Sequence, residues 1–350
     1  MQHAGSQANP AIAATRTGYV IAYDNNDPPT DVNGRFYNAN GSPATTEYQF
    51  NYTALNTQRF AALATLKSGV AIVVYEDFSV DGGGDIRADR YFSNGSIVSS
   101  TTQIVAGDFE VQRRPDVTAL ADGGYVASWT VNYSATDFDI KLRVFNSDTT
   151  PRSNVVIVDN SSTLDTNNSI VAGLSGGGFV VAWRQQAIGG GDDSLYFQRY
   201  TSSGMALGSR VLVDGSGVYN EDIQVAGLAD GGFAVAYSES GNGVDIGFQI
   251  FNSDGSARSN NMRLNQTPAG AQNNPSITTL SNGYIMVAWT SDLQYQDFQV
   301  FTPQGARVGS ESRLFVEAKE GEVAGLGTSG RFATVISSYI VDPAGDVSIQ

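Results

Sequence analysis

The residues able to do chemistry are few in this chain, and their positions repeat. An aspartate closes a polar loop at Asp31, Asp85, Asp139, Asp193, Asp245, Asp297 and Asp346, shortly after a strand-like run ending in Tyr23, Tyr75, Trp129, Trp183, Tyr237, Trp289 or Ile336. Carboxylates converging on one point chelate calcium through oxygens at about 2.3 to 2.6 Å. The candidate metal sets are Asp77, Asp81 and Asp85, then Asp137 with Asp139, and Asp192 with Asp193. Aromatic faces stack on sugars, and an indole N–H or phenol adds a polar handle. The candidate carbohydrate platform is therefore Tyr23, Tyr75, Trp129, Trp183, Tyr237 and Trp289. Both features also have a purely structural reading. Aspartate at a strand entrance accepts backbone N–H bonds, and an aromatic recurring at a fixed position spaces one packed layer from the next.

Composition removes other chemistries. The 350 residues hold 35 acidic against 20 basic side chains, a net charge of −15, with one histidine and no cysteine. Such a charge repels nucleic-acid phosphates and anionic membrane surfaces. Without cysteine there is no disulfide, thiolate zinc site or thiol nucleophile, and the lone His3 lies at the extreme terminus, away from any repeat. No apolar run is long enough for a membrane-spanning helix, and the first residues lack the basic start and apolar middle of a secretory signal. A secreted or bacterial cell-surface protein is the expectation.

The elements that position these residues form a repeat. ADGGYVASW at residues 121–129, SGGGFVVAW at 175–183, ADGGFAVAY at 229–237 and SNGYIMVAW at 281–289 share one pattern, with weaker copies at 16–23, 67–75 and 329–336. The closing residues lie 52, 54, 54, 54, 52 and 47 positions apart, and all three tryptophans fall there. Asx-Gly turns join alternating apolar runs, the hairpin signature, and no helical period is present. Units of this length match propeller blades. The expected fold is a single all-β domain over residues 1–350, a seven-bladed β-propeller of four-stranded antiparallel blades. Blades begin near 9, 58, 114, 168, 221, 274 and 321, the last closed by the N-terminal segment at 2–8 or left three-stranded.

The consensus Gly-Gly-aromatic-Val-Val-Ala-Trp, followed by Asp-Ile and Phe-Asn-Ser-Asp-Gly, resembles the repeats of large bacterial type I-secreted proteins of the RTX, haemolysin-type calcium-binding class. The resemblance spans residues 9–350. It implies export without an N-terminal leader, a calcium-rich setting and an adhesin-like role. The tandem Gly-Gly-x-Gly-x-Asp array of that class is absent, approached only at residues 81–85 and 189–193.

These readings together lead to an extracellular binding or scaffold module, expected as a monomer, with one loop face binding a glycan, a protein or calcium. An extracellular polysaccharide hydrolase or lyase is the alternative, recognisable by two carboxylates converging with an Arg or Tyr in a central channel. A purely structural spacer is the third. Ser79-Val80-Asp81-Gly82-Gly83 partly resembles a sialidase turn, and Arg113-Arg114 beside Glu110 reads as a surface ion pair.

Overall fold

Apolar and polar residues alternate at period two and are cut at short intervals by glycine and Asx turns, the pattern of half-buried strands. The computed structural model is accordingly all-β. It describes residues 7–26, 29–51, 56–79, 83–98, 103–106, 110–134, 137–160, 164–187, 193–215, 219–240, 245–266, 270–292, 294–315, 318–327, 330–338 and 347–349. The strands form separate antiparallel sheets in chain order, six of four strands and one of three. In the fourth sheet Leu164–Gly173 pairs with Phe179–Ala187, then Asp193–Tyr200, then Ala206–Asp214.

The first strands of the sheets are Gln7–Ala14, Gln58–Thr65, Val111–Ala119, Leu164–Gly173, Tyr219–Gly227, Gln272–Thr279 and Ala318–Leu326. Each touches the next, and the last returns to the first. That ring makes the molecule a β-propeller with these strands innermost. The expectation of a seventh blade is corrected: six blades are complete, and of the two endings expected for the last sheet, closure by the N-terminal segment is not found among the described residues and the three-stranded form is. The sheet of Ala318–Leu326, Arg331–Ser338 and Val347–Ile349 has three strands among the described residues. Gln7 and Ala8 do not close it, because they extend the innermost strand of the first blade and pair with Asn25 and Asp24. Residues 2–6 lie outside the described residues, as does Asp346. No described helix is long and apolar enough to cross a membrane.

The core lies between sheets, so residues on both faces of a strand are apolar. Leu66 and Val74 of the second blade pack with Tyr125 and Trp129 of the third, and Tyr19 and Tyr23 of the first pack with Ala324 and Val335 of the three-stranded sheet. Within a blade, the first residue of the second strand faces the last of the third. Tyr125 stacks on Phe145 at 4.9 Å, Phe179 on Tyr200 at 5.1 Å and Phe233 on Phe251 at 5.1 Å. Such cross-strand aromatic pairs add to the gain from burial alone.

The turn after the third strand is closed by an Asx side chain holding a hydroxyl two residues on: Asn40 with Ser42, Asn94 with Ser96, Asp148 with Thr150 and Asp254 with Ser256, at 2.6 to 2.7 Å. The residue between them adopts a left-handed conformation. It is glycine at Gly41, Gly95 and Gly255, but Thr149 takes φ 72° in the third blade. A β-branched side chain is strained there. Thr149→Gly is expected to raise unfolding stability by about 1 kcal/mol, measured by denaturant titration; an unchanged or lower midpoint contradicts the assignment of strain.

Candidate functional site

Six of the innermost strands carry the same irregularity. Their pairing to the second strand slips between Ala8 and Ala11, Arg59 and Ala62, Arg113 and Asp116, Asn167 and Ile170, Glu221 and Gln224, and Asn273 and Ser276. At each slip one residue is left-handed: Asn9 (φ 50°), Phe60 (52°), Arg114 (51°), Asn168 (53°), Asp222 (48°) and Asn274 (49°). A bulge leaves a residue out of the ladder and bends the strand. Proline, which has no N–H to give, is therefore tolerated next in line at Pro10, Pro115 and Pro275. Two residues before the bulge stands a buried polar side chain, as at Gln7, Gln58, Gln112, Thr166 and Gln272. Gln58 donates to Asp77 Oδ1 at 2.8 Å, Gln112 accepts from Ile86 N at 3.1 Å, and Gln272 accepts from Trp289 Nε1 at 2.7 Å.

The freed amides of the bulges are taken up by carboxylates of the preceding sheet. Phe60 N donates to Asp24 at 3.0 Å, Arg114 N to Glu76 at 2.7 Å, Asn9 N to Glu320 at 3.1 Å and Asn274 N to Asp222 at 3.3 Å. One step deeper the pattern recurs: Val171 N donates to Asp116 at 2.7 Å, Ile12 N to Glu322 at 3.1 Å and Val323 N to Ser276 Oγ at 3.0 Å. All seven innermost strands thus wall a central cavity of about 530 Å³, lined from the bulge residues down to Ile12, Leu63, Ile277 and Val323.

Electrostatically the cavity is rich in carboxyls. Burial pushes the Asp24 carboxyl up to about 7 against the lowering hydrogen bonds of Asn9 and Phe60, with Glu76 adding repulsion. Asp116 rises to about 7 and Glu322 to about 8, again through burial, with backbone hydrogen bonds opposing and Asp116 repelling Glu322. Both line the cavity and are reachable by water, yet the channel walls strip them of bulk solvent. At the mouth between the second and third blades the chemistry changes. Arg113 lies over the Phe78 ring at 4.5 Å, Arg59 lies over the same ring at 5.1 Å and over Phe60 at 5.0 Å, and Arg59 pairs with Glu76 at 3.1 Å. The Arg114 guanidinium donates to Asn168 Oδ1 of the fourth blade.

The residues singled out from sequence lie elsewhere. Tyr23, Tyr75, Trp129, Trp183, Tyr237 and Trp289 are no more than 1% exposed. Stacking on a sugar needs an open ring face, so these six are inter-blade packing and not a carbohydrate platform. Tyr75 donates to Asp89 at 2.8 Å, whereas the Trp129 and Trp183 indoles lack partners among the described residues. The six of these aspartates among the described residues are not at equivalent positions. Asp31, Asp85, Asp139 and Asp245 pair two residues beyond the aromatic, Asp193 three beyond, and Asp297 opposite Trp289 itself.

Most of these carboxylates clasp neighbouring strands. Asp31 accepts from Gln49 at 2.9 Å, Asp245 from Asn265 at 2.8 Å, Asp193 from Arg184 at 2.6 Å, and Asp297 from both ends of Arg313 at 2.6 Å. In the second blade Arg87 pairs with Asp77 and reaches Asp85 at 4.0 Å, so a guanidinium stands where a cation between these two carboxylates would sit. Asp81 and Asp192 lie outside the described residues. Asp137 is half-buried and Asp139 buried, and no three His, Asp or Glu side chains gather as a metal site among the described residues. Glu110 pairs with Lys141.

No model of a known protein family matches the sequence, and no curated protein is similar to it in sequence. Solved structures do share its architecture. An ulvan lyase of a polysaccharide lyase family superposes with a TM-score of 0.62 at 8% identity, over 99% of this chain and 93% of that one. A protein of unknown function from Dyadobacter fermentans gives 0.59 at 13%, over 90% and 96%. The Penicillium chrysogenum α-L-arabinanase gives 0.56 at 12%, over 83% and 91%. At these identities the likeness bears on fold alone, and it supports the β-propeller. It lends nothing to the resemblance with type I-secreted repeats.

The raised carboxyls make stability depend on pH with a definite sign. Their folded values exceed the ordinary range near 4, so the native state holds protons that the unfolded chain releases. The stabilisation is present in acid and lost as pH climbs through about 7 to 8. The melting temperature is expected to fall between about pH 5 and pH 8.5, and Asp116→Ser, which keeps a hydroxyl acceptor like Ser276, is expected to flatten that fall. A melting temperature that rises over this range contradicts the reading.

Proposed function

We propose that the protein binds glycan chains at the mouth of its central channel. The observation that carries this is the pair of strained bulge residues in adjacent blades. Four of the six bulges use Asn or Asp, the residues that tolerate left-handed backbone; the other two use Phe60 and Arg114. A bulky residue held there costs of order 1 kcal/mol more than asparagine. The bulge itself does not require that choice, because the amide of Asn9 or Asn274 reaches its neighbouring carboxylate as the amides of Phe60 and Arg114 do. What Phe60 and Arg114 add is an apolar ring and a planar donor side by side at the opening of a cavity. The Asn9, Asn168, Asp222 and Asn274 side chains complete its rim. An aromatic face for a sugar ring, surrounded by hydroxyl-binding amides and carboxylates, is the make-up of a saccharide site.

The fold supports this reading. Neighbours of the same architecture include an α-L-arabinanase complexed with arabinobiose and an ulvan lyase. An extracellular setting fits, since polysaccharides of this kind lie outside cells.

The reading separates function from stability in one pair of variants. Phe60→Asn and Arg114→Asn are expected to hold or raise the melting temperature, by up to roughly 2 °C. They are expected to weaken binding to whichever of arabinan, ulvan and an oligosaccharide array the wild type retains by at least about tenfold, near 1.4 kcal/mol. Calorimetric titration and thermal unfolding check both. Variants that lose stability while keeping full affinity show the two residues to be structural.

A further inference from the structure

One step below the bulges, seven equivalent side chains point at the channel cavity, and five of them are uncharged. The remaining two are Asp116, in the third blade, and Glu322, in the three-stranded sheet. Positions three and seven of a seven-membered ring are nearly opposite, so the two carboxyls line the cavity from opposite sides, near enough for Asp116 to repel Glu322. Their shared structural task is to accept an N–H from the next sheet, Val171 for Asp116 and Ile12 for Glu322. Ser276 performs that task for Val323 with an uncharged hydroxyl. The fold therefore does not require a carboxyl at this level, and removing one from bulk water is unfavourable. Each carboxyl is oriented by a backbone donor while it lines the cavity.

We propose that the channel hydrolyses a glycosidic bond, with Glu322 as general acid and Asp116 as general base. The inference rests on the glycan reading of the channel mouth, which brings a sugar chain to these two groups. Water attacks the anomeric carbon as the bond from that carbon to the leaving oxygen breaks. The Glu322 carboxyl gives its proton to the leaving oxygen, and the Asp116 carboxylate takes one from the attacking water. One water is consumed, and exchange with solvent returns the proton from Asp116 and restores that on Glu322. The surroundings suit the roles. Burial favours the protonated form of both carboxyls, and at Glu322 the neighbouring Asp116 and Glu320 add repulsion that favours it further. Paired carboxyls in unlike environments commonly divide acid and base work.

The test measures binding and bond cleavage separately on intact protein, with arabinan, ulvan and laminarin as probes. The wild type is expected to release new reducing ends from a polysaccharide that it binds. Glu322→Gln and Asp116→Asn are expected to slow release by at least about 100-fold with affinity within a few-fold of wild type. Asp116→Ser, which keeps a hydroxyl acceptor for Val171, guards against loss of folding and is expected to be equally slow. Binding without release by the wild type, release of unsaturated ends in place of hydrolysis, or variants that cleave at the wild-type rate would each overturn the acid–base assignment and leave glycan binding standing. Absence of binding to every probe overturns the glycan reading and this inference with it.

Discussion

The structure depends on how the innermost strands satisfy their open edges. Each sheet is paired within itself, so the first strand of every sheet turns a row of unpaired backbone groups towards the axis. Buried N–H groups without acceptors are rare because each is costly. The chain resolves this with acceptors from the preceding sheet: carboxylates at the bulges, then Asp116, Glu322 and Ser276, then the Thr118 and Thr278 hydroxyls towards Gly173 and Gly325 at 3.1 and 2.9 Å. Gly227 serves the same approach, since a Cβ there would meet the Gly173 carbonyl oxygen at 2.2 Å. Closing the ring and lining the channel are thus one act, and the groups that do it become the groups a ligand meets.

Repetition then determines where function can reside. A position that is alike in every blade answers to packing, as the closing aromatics do at 0 to 1% exposure. The departures are informative: Phe60 and Arg114 where asparagine suffices, and Asp116 and Glu322 where a hydroxyl suffices. All four line the same cavity. The acidity of the chain has the same division. Asp193 and Asp297 are neutralised by Arg184 and Arg313 on their own blades, whereas Asp116 and Glu322 line the channel with raised proton affinity.

The propeller architecture was legible because its causes are local. Asx-Gly turns, period-two runs and a tryptophan or tyrosine at regular intervals are all one-dimensional signals. Which of its two expected endings the last sheet takes was not, since the pairing of Gln7 and Ala8 depends on register, which slips at a bulge. The bulge itself left a trace that went unread: Gln-x-x-Pro at Gln7, Gln112 and Gln272, each with an Asn or Arg before the proline. Asn-Pro reads as a turn when seen alone, and only the ladder shows it inside a strand. Asp116 and Glu322 gave no sign of their place, because sequence shows that a residue lies on a strand and not that its face turns to an axis. The seven aspartates misled in the opposite way. Loop length aligned them, while the ladder places Asp297 two residues deeper than Asp31.

The most direct measurement is amide hydrogen exchange with and without a bound oligosaccharide, resolved to individual strands. If the channel is the ligand site, protection on binding concentrates in Gln58–Thr65, Val111–Ala119 and Leu164–Gly173 around the bulges, while the outer strands exchange unchanged. Protection confined to outer strands such as Ala206–Asp214, with the innermost strands unaffected, would place the ligand on the rim and contradict the account.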